Sequence, residues 1–146
     1  MTAYFDTSFL VSLYTLDANS ASALSAIQSV AGPFPLTPFG ELELTNAVEL
    51  RVFRREITPT HARQVLAAAS SDLASGFLRS TPTPASVYDE AVRLSRRHTA
   101  AIGNRTLDIL HVAAALVLGL PSFYTFDRRQ AQLAKAEGLA TPIRIR

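Results

Sequence analysis

The sequence predicts an α/β fold: a short-stranded, mostly parallel sheet with helices on both faces. Three observations carry that reading. Short apolar stretches recur at Ala3-Tyr4-Phe5, Phe34 to Pro38, Phe77-Leu78-Arg79 and Ser122 to Thr125, each too brief for a helix and each bounded by turn residues. Between them run longer segments with apolar residues at helical spacing, the crossovers that parallel strands require. Glycine and proline fall at the joints, at Gly32-Pro33, Gly76, Gly103, Gly119 to Pro121 and Gly138.

In chain order, Ala3-Tyr4-Phe5 is a strand that stops at Asp6, and Thr7 to Leu16 is a helix carrying Phe9, Leu10, Leu13 and Tyr14 on one side. Asp17-Ala18-Asn19-Ser20 breaks the chain and caps a second helix through about Val30. After Gly32-Pro33, Phe34 to Pro38 is the second strand, and Leu44, Ala47, Val48 and Val52 mark an amphipathic helix from Gly40 to about Arg55. Thr58-Pro59 is a cap followed by proline in the first turn, opening a helix toward Ser75-Gly76. Phe77-Leu78-Arg79 is the third strand, and Thr83-Pro84 repeats the cap-and-proline signal for a helix to about Ala101. Beyond Gly103-Asn104, Arg105 to Leu118 is a strongly apolar helix closed by Gly119-Leu120-Pro121. Ser122 to Thr125 is the fourth strand, Arg128 to Glu137 a helix ended by Gly138, and Pro142 to Ile145 a last strand. No linker, low-complexity tract or repeat divides the chain, so residues 1–146 are read as one domain.

A chain of 146 residues buries roughly 68–70% of its unfolded surface, enough for a self-sufficient core. Fourteen Lys and Arg against 12 Asp and Glu leave a net charge of +2, which neither selects nor excludes nucleic acid. The basic side is thirteen Arg and the single Lys135, so positive charge here is guanidinium, a planar fork suited to phosphate and carboxylate. The absence of cysteine excludes a disulfide scaffold, thiolate zinc, a cysteine nucleophile and an iron–sulfur cluster, and makes a reducing cytoplasm the expected setting. The first residues lack the basic region of a signal peptide, and the longest apolar run, Ile109 to Leu120, contains His111 and falls short of the ~20 residues that span a bilayer. No membrane is expected.

In a parallel α/β sheet, ligands bind beyond the carboxyl ends of the strands. Two aspartates stand there: Asp6 after Tyr4-Phe5, and Asp127 after Phe123-Tyr124-Thr125-Phe126. Either alone reads equally as a helix cap. Asp108 lies in Leu107-Asp108-Ile109-Leu110-His111-Val112-Ala113-Ala114, a helix with almost no other polar side chain, where Asn104, Asp108 and His111 share one stripe. A carboxylate among apolar groups must be paired, hydrogen-bonded or bound to a cation; Arg105 and His111 are the local partners that would make it purely structural. Glu41 and Glu43 both suit the first turn of their helix, and Glu43, beside Asn46 and Ala47, is the one with room for close approach. Four carboxylates, Asp6, Glu43, Asp108 and Asp127, are oxygen-only ligands, which select Mg²⁺ or Mn²⁺ over zinc. Such a cage suits phosphodiester hydrolysis, in which one or two metals activate water and neutralise charge at the leaving oxygen.

These residues resemble the PIN domain, and within it the VapC-type toxin ribonucleases of toxin–antitoxin pairs. The matching stretches are Tyr4-Phe5-Asp6-Thr7-Ser8, Glu43-Leu44-Thr45-Asn46-Ala47-Val48, Thr106 to Ala115 and Tyr124-Thr125-Phe126-Asp127-Arg128-Arg129-Gln130, in the family's order and spanning nearly the whole chain. The resemblance implies a three-layer α/β/α sandwich, commonly a homodimer, that binds Mg²⁺ or Mn²⁺ and cuts RNA in the cytoplasm. It maps the acidic cluster onto Asp6, Glu43, Asp108 and Asp127, with Thr7, Ser8 and Thr125 as supporting hydroxyls. It also implies a cognate antitoxin protein. Many members carry a further acid shortly after the last one; here Arg128-Arg129-Gln130 follows Asp127, so one held metal is expected, with a second recruited by substrate phosphate.

Two other folds with aspartate after a strand fail on named residues. A haloacid-dehalogenase phosphatase needs a second aspartate where Ser8 stands, and a response-regulator receiver needs a late strand-end lysine, whereas Lys135 lies in the last helix. A PIN-like module that binds RNA or protein without cutting is the alternative from another class. Arg51, Arg54, Arg128 and Arg129 are candidates for contact with RNA phosphates, or else solvated helix faces paired with Glu49 and Glu56. His111 reads as a partner of Asp108 or a satisfied core histidine.

Overall fold

Tyr4 and Phe5 are neighbours in sequence and both buried, yet they serve different cores. In the computed structural model, which describes residues 1–146, β1 (Ala3–Phe5) sends Tyr4 to one face and Phe5 to the other, as side chains alternate along a strand. The elements that follow are α1 (Thr7–Tyr14), α2 (Ser20–Ile27), β2 (Phe34–Leu36), α3 (Pro38–Phe53), α4 (Pro59–Ser75), β3 (Leu78–Ser80) and α5 (Ser86–Leu94). A π-helical turn (Ser95–Thr99) then leads into α6 (Ala100–Ile102), followed by α7 (Thr106–Val117), β4 (Ser122–Tyr124) and α8 (Arg128–Ala136).

The strands form two parallel pairs. β1 pairs with β4, Ala3 opposite Ser122 and Phe5 opposite Tyr124, and β2 pairs with β3, Phe34 opposite Leu78. β1 and β2 lie side by side, giving the spatial order β3-β2-β1-β4, and the Phe5 and Phe34 rings stack 4.1 Å apart across that seam. Phe5 and Tyr124 pack with Phe9, Leu44, Val48, Ala62 and Val65 from α1, α3 and α4, while Tyr4 and Phe123 pack with Val87, Leu94, Val112 and Leu133 from α5, α7 and α8. The result is three layers, α/β/α, with all strand pairs parallel.

Several boundaries differ from expectation for identifiable reasons. α3 starts at Pro38, ahead of Gly40, because the Thr37 hydroxyl accepts the Gly40 amide at 3.1 Å and proline fills the first turn. The Thr83-Pro84 signal is not used. α5 begins at Ser86 without a side-chain cap, and the Thr83 hydroxyl is buried without a partner. Pro142 to Ile145 forms no strand; the chain makes only a single bridge, Ala140 with Ser122. Asn104 precedes α7 and therefore leaves the expected stripe, donating instead to the Arg129 carbonyl at 3.0 Å. No helix is long and apolar enough to cross a membrane.

Candidate functional site

The site gathers where β1 and β4 end. Asp6 caps α1 and is fully buried; its Oδ1 accepts from the Phe9 amide at 2.9 Å and from the Ser8 hydroxyl at 2.8 Å. Its Oδ2 accepts from Thr125 Oγ1 at 2.5 Å. Burial pushes its pKa up to about 6, against the pull of the donors Thr125, Phe9 and Ser8. Ser8 and Thr125 also stitch the two strand ends: Ser8 Oγ accepts the Phe126 amide and Thr125 Oγ1 the Asp127 amide, each at 2.9 Å.

Asp127 caps α8, accepting the Gln130 amide at 2.8 Å, and Asp108 sits in the first turn of α7, accepting the Arg105 amide at 3.4 Å. Asp108 makes no ion pair with the Arg105 side chain and no hydrogen bond with His111, so neither expected partner neutralises it. Its pKa is raised first by burial and then by the negative charge of Asp127, with Glu43 adding to it. These three acids are close enough to feel one another.

Glu43 turns inward from α3, whereas Glu41 is exposed. Its Oε1 accepts from the Thr7 hydroxyl and from His111 Nε2 at 2.6 Å. Burial acts to raise its pKa, but the hydrogen bonds from His111 and Thr7 outweigh that and hold the carboxyl below its usual range. The other imidazole nitrogen, Nδ1, lies 2.8 Å from the Tyr4 hydroxyl. Burial keeps that phenol protonated, far above its usual range. His111 is therefore a fully satisfied buried histidine, and its carboxylate partner is Glu43 rather than Asp108. Sequence reading missed this link and the part of Tyr4. The available signal was polarity itself: a histidine in an apolar helix and a tyrosine in an apolar strand each need a partner.

A cavity of about 460 Å³ opens on two of these acids, Asp108 and Asp127, and is otherwise lined by Arg105, Arg128 and Arg129 and by no apolar side chain. None of the three arginines pairs with either aspartate. Arg128 and Arg129, the expected candidates for RNA contact, line this cavity together with Arg105. Arg51 lines a neighbouring cavity with Thr7, Ser8 and Asp127, but it is bound to Asp17 at 3.1 Å and Thr15 at 2.9 Å. Arg54 lies roughly 16 Å beyond Glu43 along α3 by helical rise. The acids do not converge into one closed cage, since no three His, Asp or Glu side chains lie close enough together to enclose an ion. Like charges repel, and each carboxylate has protein donors of its own.

The sequence matches the PIN domain family over residues 3–136. The chain belongs to the PIN domain family. The fold agrees: this PIN domain superposes on VapC20 of Mycobacterium tuberculosis, a sarcin–ricin loop cleaving toxin, with a TM-score of 0.73 and 19% identity over 95% of this chain and 97% of that one. It is similar to a chain of a toxin–antitoxin complex from Klebsiella pneumoniae (TM-score 0.70, 15% identity, 99% and 100% covered). FitAcB from Neisseria gonorrhoeae has the same fold (TM-score 0.67, 16% identity, 96% of both chains). No curated protein matches the chain in sequence.

Proposed function

We propose that this PIN domain is a divalent-metal-dependent ribonuclease and the toxin of a toxin–antitoxin pair. The observation that carries the reading is the cavity in which Asp108 and Asp127 stand beside the guanidinium groups of Arg105, Arg128 and Arg129 without forming an ion pair with any of them. A ligand that brings both a cation and a phosphate, such as an RNA backbone with Mg²⁺ or Mn²⁺, satisfies both sets at once. The donor chemistry fits such an ion: Asp108 is pushed toward protonation by burial first and by its acidic neighbours second, and the carboxylates offer only hard oxygens. Mg²⁺ commonly keeps several waters and takes one or two carboxylates plus substrate phosphate, so an open acidic groove suits it as well as a closed cage.

Asp6, Asp108, Asp127 and Glu43 are the residues that would hold the ion. When bound, it supplies an acidified water and neutralises charge at the leaving oxygen. Ser8 and Thr125 hold Asp6 in place, Thr7 holds Glu43, and Arg105, Arg128 and Arg129 orient the phosphate chain. The protein partners are a second copy of the chain and an antitoxin, and the relatives found as toxin–antitoxin complexes support the latter.

The test is cleavage of an RNA pool, with a sarcin–ricin loop oligonucleotide included, in Mg²⁺, in Mn²⁺ and in EDTA. Cutting that needs the metal and disappears in Asp6→Asn and Asp108→Asn, together with loss of toxicity in cells, is the expected result. Metal-independent binding without cutting would instead establish a non-catalytic PIN module.

A further inference from the structure

We infer that His111, fixed by Tyr4, is a positioning residue that leaves Glu43 a single carboxylate oxygen free of protein donors for a metal ion. The inference rests on the metal-dependent reading above and adds residues to it. His111 is 1% exposed, on a helix whose other buried side chains are all apolar. Its ring meets Tyr4 edge-on at 5.6 Å and Phe39 at 5.0 Å, and Gly40 makes the room: a Cβ there would stand 3.7 Å from Cε1 and 3.0 Å from Thr37 Oγ1.

The proton order follows from chemistry. Tyr4 has a hydroxyl proton to give and donates it to Nδ1, which leaves the ring proton on Nε2, pointed at Glu43 Oε1. The Thr7 hydroxyl donates to the same oxygen. Oε1 therefore carries two protein donors and Oε2 carries none, so Oε2 is the atom free to face a cation. A histidine serving only as core filler would need no such chain, since an apolar side chain of similar volume fills space without a buried polar group to satisfy. Hydrogen-bond partners behind a metal ligand characteristically set metal affinity, and their loss costs about 10–100-fold.

Two measurements on the full chain test this. The first is Mn²⁺ binding, followed by the electron paramagnetic resonance of free Mn²⁺ and read alongside the melting temperature. His111→Leu should weaken binding about 10–100-fold while the protein stays folded, and His111→Gln, whose amide N–H can replace the donation to Glu43, should restore most of it. A folded Leu variant that binds as tightly as the parent, or a Gln variant no better than Leu, overturns the inference. The second needs no metal. In ¹⁵N–¹H correlation spectra the parent should show the His111 proton on Nε2, Tyr4→Phe should populate the other tautomer, and Glu43→Gln should shift the Nε2 proton upfield. A proton on Nδ1 in the parent overturns the proposal. Failure of the parent itself to bind Mn²⁺ strikes the metal-dependent reading, a result distinct from any of these.

Discussion

Keeping a carboxylate buried at the end of β1 has a measurable cost, and Asp6→Asn in EDTA isolates it. In the folded chain burial raises the Asp6 pKa from 3.8 to about 6, although hydrogen bonds from Thr125, Phe9 and Ser8 oppose the rise. Below pH 3.8 the folded and unfolded chains both carry the protonated acid. Between 3.8 and about 6 the unfolded chain releases a proton that the folded chain retains, so stability falls as pH rises and the loss is complete above that window. At about 1.4 kcal/mol per pH unit, the gap corresponds to about 3 kcal/mol. Asparagine has no charge to bury. Its carbonyl can still accept the Phe9 amide, and its NH₂ can face the Ser8 and Thr125 hydroxyl oxygens once their protons rotate away. Urea unfolding of parent and variant at pH 4, 5, 6 and 7.5 should therefore give similar stabilities at pH 4 and a variant more stable by about 2–3 kcal/mol at pH 7.5. Taking the difference cancels every other titrating group. Added Mn²⁺ should stabilise the parent and not the variant. A difference that does not change with pH, or a variant less stable at pH 7.5, would refute the reasoning.

Arg105→Ala should weaken RNA binding and reduce the slope of log affinity against log salt by about one, with the melting temperature unchanged, because no carboxylate pairs with that side chain. Arg51→Ala should do the reverse, costing about 1 kcal/mol in urea unfolding through its lost bonds to Asp17 and Thr15 while leaving the salt slope intact. Glu137 receives His98 at 2.6 Å and Arg93 at 2.9 Å, and although burial acts to raise its pKa these partners hold it low. Glu137→Gln should thus be less stable by about 1 kcal/mol at pH 7, and the deficit should shrink as pH falls below the ordinary glutamate range. Phe9→Ala, which removes a fully buried ring 4.4 Å from Phe5, should cost about 3–5 kcal/mol in the same assay.

The strands and most helices could be read from the sequence because their signals are local: aromatic triplets between turns, and a threonine followed by proline at Thr58-Pro59. The same signal misled at Thr83-Pro84, where tertiary packing buried the hydroxyl instead of using it as a cap. Asp6, Asp108 and Asp127 stood out because an acid after a strand or inside an apolar helix calls for a reason. The Tyr4–His111–Glu43 chain was not legible, since its members lie 107 and 68 residues apart and only the fold brings them into contact. For Arg51 the sequence left RNA contact and ion pairing both open; the structure pairs it with Glu56, as the second reading had it, and more closely with Asp17, on a distant part of the chain that no local signal named.

The pairing of the first strand with the last also sets a clock. Thr125 reaches Asp6, and Asp127 joins the same end of the sheet, only when β4 lies against β1, and β4 follows the other three strands in the chain. During synthesis the early half of the protein can pack Phe9, Phe34, Val48 and Val65 into one core, yet it lacks half of the acids. On the proposed ribonuclease reading, the acidic site is incomplete until β4 closes the sheet against β1.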